Sequence, residues 1–470
     1  MYLPDLIVRS RRVVTRDGVR PAALHIRGGR IIGVLDFENV PDGCPVDDAS
    51  DLVVMPGAVD THVHVNAATA GDADVFEQTT RAAATGGVTT IIDVGSVGGP
   101  TACVSTLEQI RRAAEGHCAV DVGFCGGIVP GNSCEIGPLA AQGVFAFACT
   151  FGVAAIEGAA AVTEADLRTA MPGLARIGAT LMVHGELPGP IERAVSGQRS
   201  SMGFFDRATW SFRGSREYVR FLETHPKSAE TEAVVQLLEL CREYGTRTHI
   251  LNLSSSDALT PIFRARTVRM PLTVETCPHF LFFVSEEVPD GATAFKCVPP
   301  IRERANRELL WGALAGGLIQ TVASDHSPPP AGVHGRTPRD FSRAWGGIAS
   351  VQLSLPAVWT MASARGHTVN ELAAWMCRGP ARIAGLEKKG EIDVGHDADL
   401  VIWDPDAEFA VDASTLVDRR TSTPYIGCSL RGIIARVYLR GNVIYEQGRP
   451  IERTMGRLLV KPRVSTARIS

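Results

Sequence analysis

The sequence predicts an α/β protein: a TIM-type (β/α)8 barrel with a small β-sandwich domain formed from both chain ends. Three observations predict it. Short strand-like runs broken by turns fill the first fifty or so residues and return from about Gly390. Between them, apolar strand-like runs alternate with amphipathic segments, the pattern of repeated βα units around a parallel sheet. The 470 residues leave room for one dominant core with a smaller appendage.

The N-terminal strands are expected at Asp5 to Arg9, Arg12 to Thr15, Ala22 to Arg27 and Arg30 to Leu35, with Gly28-Gly29 as a hairpin turn. The apolar run from Val53 to Val59 leads into Asp60-Thr61-His62-Val63-His64, and a helix from Phe76 to Thr85 precedes a strand at Thr89 to Val94. Further barrel strands are expected at Val120 to Gly123, Val144 to Thr150, Thr180 to His184, Arg247 to Asn252, Leu272 to Cys277, Ala294 to Val298 and Gln320 to Ser324. Strands return in Gly395 to Trp403 and in Ile433 to Leu439. Residues 1–55 and 390–460 are therefore assigned to the β-sandwich, and 56–389 to the barrel.

Hydrophobic residues make up 45% and charged residues 21%, which fits a globular chain and excludes a disordered one. A net charge of -4, with no Lys/Arg-rich run, offers no field for a nucleic-acid backbone, so a small-molecule substrate is the expected partner. Eleven cysteines without a CxxC pair argue against a disulfide framework and a structural zinc site, and suit a reducing cytoplasm. No uninterrupted apolar segment approaches the roughly 18 residues needed to cross a bilayer, and no membrane partner is expected.

The chemistry gathers at expected strand ends. His62 and His64 alternate along one strand, so both imidazoles face one side. In a parallel barrel, catalytic groups collect at strand C-terminal ends, where His184 and Asp325 also fall. Three neutral imidazoles and a carboxylate suit zinc or a similar divalent ion, which lowers the pKa of bound water to about 7. Asp325, touching metal and water, is placed to act as general base and then general acid.

These residues, with Pro56 to His64, Thr80 to Thr90, Glu275 to Phe280, Lys296 to Arg302, Ser324 to Pro328, Ala344 to Ile348 and Gly390 to Val401, make the chain resemble the cyclic amidohydrolases. That group contains allantoinase, dihydropyrimidinase or hydantoinase, and dihydroorotase, with allantoinase nearest in pattern. The resemblance implies hydrolysis of a cyclic amide, a homodimer or homotetramer, and a binuclear site. Such a site uses the HxH pair, a carboxylated lysine bridging two metals, two further histidines and an aspartate.

Two of those ligands are replaced. Ala148 stands at the position of the bridging lysine, and none of the five lysines (227, 296, 388, 389 and 461) lies before Lys227; Asn252 stands at the position of the second histidine. A second metal would then have too few ligands, so one zinc ion per chain is expected, held by His62, His64, His184 and Asp325. Cys149 is a soft alternative ligand that strand alternation should turn away from Ala148, and the same count makes His249 structural.

Asn66, Asn252, Val298 and His326 are the expected substrate-facing residues. Dihydroorotase-like members carry an arginine where Asn66 stands, which argues against dihydroorotate. Val298 replaces a polar residue, and the asparagine expected near Val97 is absent, so the site should favour a substrate less polar than allantoin. The stretch from Gly185 to Arg220, with Arg193, Arg199, Arg207, Arg213 and Arg216, reads as a longer loop with a solvated basic face. Two alternatives remain open: a biosynthetic cyclase running the same chemistry backwards, and a catalytically silent scaffold resembling the neuronal collapsin-response proteins.

Overall fold

The strand that carries His62 and leads into His64 is the first of eight that, with the two-residue strand Gly126–Gly127 just after the third, run parallel in a computed structural model describing residues 3–66, 73–95, 101–153, 160–201, 216–329, 339–418, 423–449 and 453–462. These strands are β1 (Ala58–Val63), β2 (Val88–Asp93), β3 (Asp121–Phe124), β4 (Phe147–Gly152), β5 (Thr180–Glu186), β6 (Arg247–Ile250), β7 (Leu272–Thr276) and β8 (Thr321–Val322). Strands β1 to β3 pair in sequence, and β4 to β8 pair in sequence. The two groups meet on both sides. Phe145 N donates to Phe124 O at 2.9 Å, and His64 N donates to His326 O at 2.8 Å. Every residue of β1, β2 and β3 is buried, as a strand covered on both faces requires.

Helices occupy most of the connections, and each buries an apolar stripe against the strands. Glu164–Arg176 is typical: Leu167, Ala170, Met171 and Leu174 are its buried positions, and Thr163 with Asp166 forms a capping box at its start. The expected strand at Ala294 to Val298 is absent. That apolar run instead enters a single 3-10 turn, Thr293–Phe295, and the prolines 299 and 300 that follow have no N–H to offer a sheet.

Both chain ends build one sheet. Its hydrogen-bonded order is Asn442–Glu446, Ser429–Leu439, Leu400–Ala410, Val53–Pro56, Leu6–Thr15, Gly18–Arg27 and Arg30–Leu35, with Val46–Asp48 beside Leu6–Thr15. The separate expected strands Asp5 to Arg9 and Arg12 to Thr15 are one strand with a register shift between Ser10 and Val13. Gly28 and Gly29 both have positive φ, 55° and 77°, as a two-residue hairpin turn demands. The sheet curls until Ala398 N donates to Gly29 O at 2.9 Å, enclosing Val8, Leu24, Ile31, Val54, Leu400, Ile402 and Tyr438 in one core. A single curled sheet thus stands where two stacked ones were expected. Residues 453–462 leave it: Val122 N donates to Arg457 O, and Leu459 N to Val122 O, so this segment lies along β3.

Lys389 joins the two layers. Its ammonium lies 2.8 Å from Asp121 at the start of β3, 2.6 Å from Asp399 and 3.5 Å from Asp397, with only 6% of the residue exposed. Burial pushes the lysine toward neutrality, but Asp399 and Asp121 outweigh it and hold the proton. Removing one partner of such a cluster leaves charges buried without compensation. Lys389→Ala should therefore cost about 3–5 kcal/mol, read as a lowered midpoint in urea unfolding.

Candidate metal centre

Strand alternation delivers the two imidazoles of the HxH pair to one carboxylate. His62 Nε2 lies 3.3 Å and His64 Nε2 3.6 Å from Asp325 Oδ1, and the donor atoms of the three residues fall within 4.8 Å of one another. Asp325 follows β8 in the left-handed backbone region (φ 48°), as do Asn252 after β6 (φ 36°) and Asn66 after β1 (φ 57°). Asn and Asp tolerate that conformation better than most residues, and its occurrence at strand ends breaks the two-residue alternation of side chains there.

His184, near the end of β5, stands outside that tight triplet but opens on the same cleft. Asn252 couples it to the aspartate: Asn252 Oδ1 accepts from His184 Nδ1 at 3.1 Å, and Asn252 Nδ2 donates to Asp325 Oδ2 at 2.9 Å. His184 Nε2 is left buried with no hydrogen-bond partner among the described residues. An orphaned imidazole nitrogen beside a cleft is a donor that a metal would satisfy, so the residues present fit a divalent ion. Burial lowers the pKa of His184 and takes that of His64 down to about 4, keeping both as the neutral imidazoles that a metal needs.

Supporting contacts fix the orientation of each group. His64 Nδ1 is held by Gly95 O at 2.8 Å, and Gly95 N in turn donates to Asp93 at 3.1 Å. Asp60 accepts from Ser324 N at 3.1 Å, which ties the end of β8 to β1. Glu275 on β7, fully buried, accepts from His62 Nδ1 at 2.6 Å and from His249 Nε2 at 2.9 Å. Thr273, two residues earlier on the same face, holds His249 Nδ1 at 2.8 Å. His249 thus serves the frame. Glu275 had no role in the sequence reading; its signal was one carboxylate within the run Leu272 to Thr276, at the parity of Thr273.

The cleft has an empty volume of about 810 Å³, open solvent included, and Val94, Ile128, Leu251 and Val298 give it apolar walls beside Asn252 and Ser327. Ala148 and Cys149 both line it, although the two pack into different core clusters, Ala148 with Ile92 and Met182, as alternation along β4 requires. Even so, Cys149 joins no cluster of potential ligands among the described residues, and burial pushes its thiol up to about 12. Two expected substrate contacts lie outside the lining. Asn66 donates to Pro328 O at 2.7 Å, and His326 Nδ1 accepts from Ser350 N at 3.1 Å, so both stitch strand ends together. Val97, Arg207 and Arg213 fall outside the described residues, as does the side chain of Arg199, whereas Arg193 pairs with Glu232 in solvent.

Comparison with known proteins agrees with this architecture. The profile described as Amidohydrolase family matches residues 53–444. The allantoinase of Streptomyces avermitilis is 41% identical over 458 residues, covering 97% of this chain and 98% of its own. The allantoinase of Saccharomyces cerevisiae is 33% identical over 477 residues, covering 98% of this chain and 100% of its own. Among solved structures, the L-hydantoinase (dihydropyrimidinase) from Arthrobacter aurescens superposes with a TM-score of 0.87 at 27% identity, covering 97% of this chain and all of that one.

Without a metal, the surrounding carboxylates favour the protonated form of His62. Burial lowers its pKa, but Asp325 and Glu275 outweigh that and raise it from 6.5 to about 9. A raised folded-state value stabilises the fold fully below the ordinary 6.5, and that contribution is lost as pH rises through about 9. In Glu275→Gln the midpoint of His62, followed by NMR of the ring in metal-free protein, should fall. An unmoved midpoint would remove Glu275 from the account.

Proposed function

The chain belongs to the amidohydrolase family, and on that premise we propose that it hydrolyses a cyclic amide through one catalytic divalent ion, zinc, held by His62, His64, His184 and Asp325. The observation that carries the reading is His184 Nε2, without a partner among the described residues and buried beside a cleft into which His62, His64 and Asp325 also open. We read the eight parallel strands as one closed barrel, whose C-terminal mouth is that cleft. Its substrate is a small molecule.

The bound ion supplies Lewis acidity toward water and the scissile carbonyl. This chain's residues supply the proton traffic and the geometry. Asp325 takes the proton of the attacking water and delivers it to the ring nitrogen as the carbon–nitrogen bond breaks. The Asn252 amide on Oδ2 keeps that carboxylate from rotating, so Oδ1 stays beside His62 and His64. Glu275 anchors His62 through Nδ1 and leaves Nε2 as the only nitrogen that can face a metal.

The walls bear on the substrate. Val94, Ile128, Leu251 and Val298 offer no hydrogen-bond partner for a second polar ring substituent, which favours a ring less polar than allantoin. A second reading rests on Ala148 and Asn252, the two replaced ligand positions, which favour a silent scaffold. The two readings separate on turnover, and incubating ring-closed and ring-opened compounds in parallel sets the direction of the reaction.

In a chromatographic assay of cyclic amides and hydantoins, the zinc-loaded protein should show turnover that chelation removes and zinc restores, while His64→Ala should lose it by at least about three orders of magnitude. A folded wild-type chain that binds no metal and turns over nothing would transfer the argument to the scaffold. Val298→Asn should raise kcat/KM for allantoin relative to a 5-alkyl hydantoin on the order of tenfold, measured by competition between the two.

A further inference from the structure

A second set of potential ligands lies behind Asp325. Cys277 directly follows β7, and His279 stands two residues on, within the short helical turn Pro278–Phe282. Their donor atoms and a carboxylate oxygen of Asp325 fall within 4.8 Å of one another. His279 is 1% exposed, and neither of its ring nitrogens has a hydrogen-bond partner among the described residues. A buried polar group left unsatisfied is costly, so this imidazole calls for a partner that the described protein groups do not provide.

We propose that Cys277, His279 and Asp325 form a second metal site, thiolate-bearing and distinct from the histidine pair, for a borderline-soft divalent ion such as zinc or cobalt. It rests on the proposed function only through Asp325, which both sites share. The chemistry balances. Cys277 releases its thiol proton to solvent on binding, and the resulting thiolate with the shared carboxylate offsets part of the charge of a divalent ion. His279 supplies the neutral nitrogen. The soft sulfur selects against magnesium and calcium. The ion reaches the site past Asp325, which lines the open cleft. Ala148 and Asn252 deprive one side of Asp325 of ligands, and this set offers them on another.

The test uses full-length protein stripped of metal and reloaded with cobalt, whose coordination by a thiolate produces a near-ultraviolet charge-transfer absorption. Wild type should show that absorption and bind about two equivalents. Cys277→Ser should lose the absorption and one equivalent, while Cys134→Ser, at an exposed cysteine, keeps both. His279→Gln is the second variant, in case Cys277→Ser does not fold, and it should also lose one equivalent. His64→Ala should lose turnover and retain the Cys277-dependent absorption. No such absorption in wild type, or absorption that survives both Cys277→Ser and His279→Gln, overturns the proposal. Metal-dependent turnover without the absorption sinks only this second site. The absorption without turnover in wild type sinks the proposed function instead.

Discussion

A single buried carboxylate sets the terms for the site. Glu275 has no solvent, yet burial, which would drive its carboxyl toward neutrality, is outweighed by the His62 imidazolium and by hydrogen bonds from His249 and His62, which hold its pKa at about 2. From that one charge the orientation of the first ligand follows. His62 turns Nδ1 inward and Nε2 outward, His64 takes its orientation from Gly95, and both outward nitrogens converge on Asp325. Neutralising Glu275 would cost more than a hydrogen bond, because two imidazoles would lose their common acceptor at once.

The relation between barrel and curled sheet follows similar logic at larger scale. Asp121 begins β3 and simultaneously meets Lys389 and Arg440, so charge compensation is shared between a strand of the parallel layer, the segment leading into the other sheet and a turn between two of that sheet's strands. Buried ion clusters of this kind add little net stability over an apolar contact, but they penalise any other docking of the two layers. Gly347 makes a comparable point near the cleft. A side chain there would run into the Ser327 carbonyl, to which Trp345 Nε1 donates at 2.9 Å.

Much of the site was legible in the sequence, and the reason is periodicity. Two-residue alternation puts His62 and His64 on one face, and the ends of apolar runs mark His184 and Asp325 as residues of the mouth. The same reasoning says less where the strand ends and the backbone leaves β geometry. There Asn66 and His326 bond Pro328 and Ser350. Left-handed backbone at Asn66, Asn252 and Asp325 is invisible to a parity count. Glu275 and His279 were hidden differently: each lies in an apolar stretch, and only three-dimensional packing shows which partners a lone polar residue has or lacks. At the level of fold, both sheets were readable from strand-like runs, but Ala294 to Val298 was not, because a short apolar run looks alike in a strand and in a turn.

The curled sheet also carries a consequence for biogenesis. Val53–Pro56 is hydrogen-bonded on one side to Leu6–Thr15 and on the other to Leu400–Ala410. During translation at roughly 5–20 residues per second, the early strands therefore emerge tens of seconds before the partner that covers them. In that interval Val53 and Val54 present an open strand to any neighbouring nascent chain, the situation in which chaperone holding matters most. Splitting one layer between distant stretches of polypeptide makes completion of the ribosome's work, and not collapse of the first fifty residues, the event that commits this molecule to its shape.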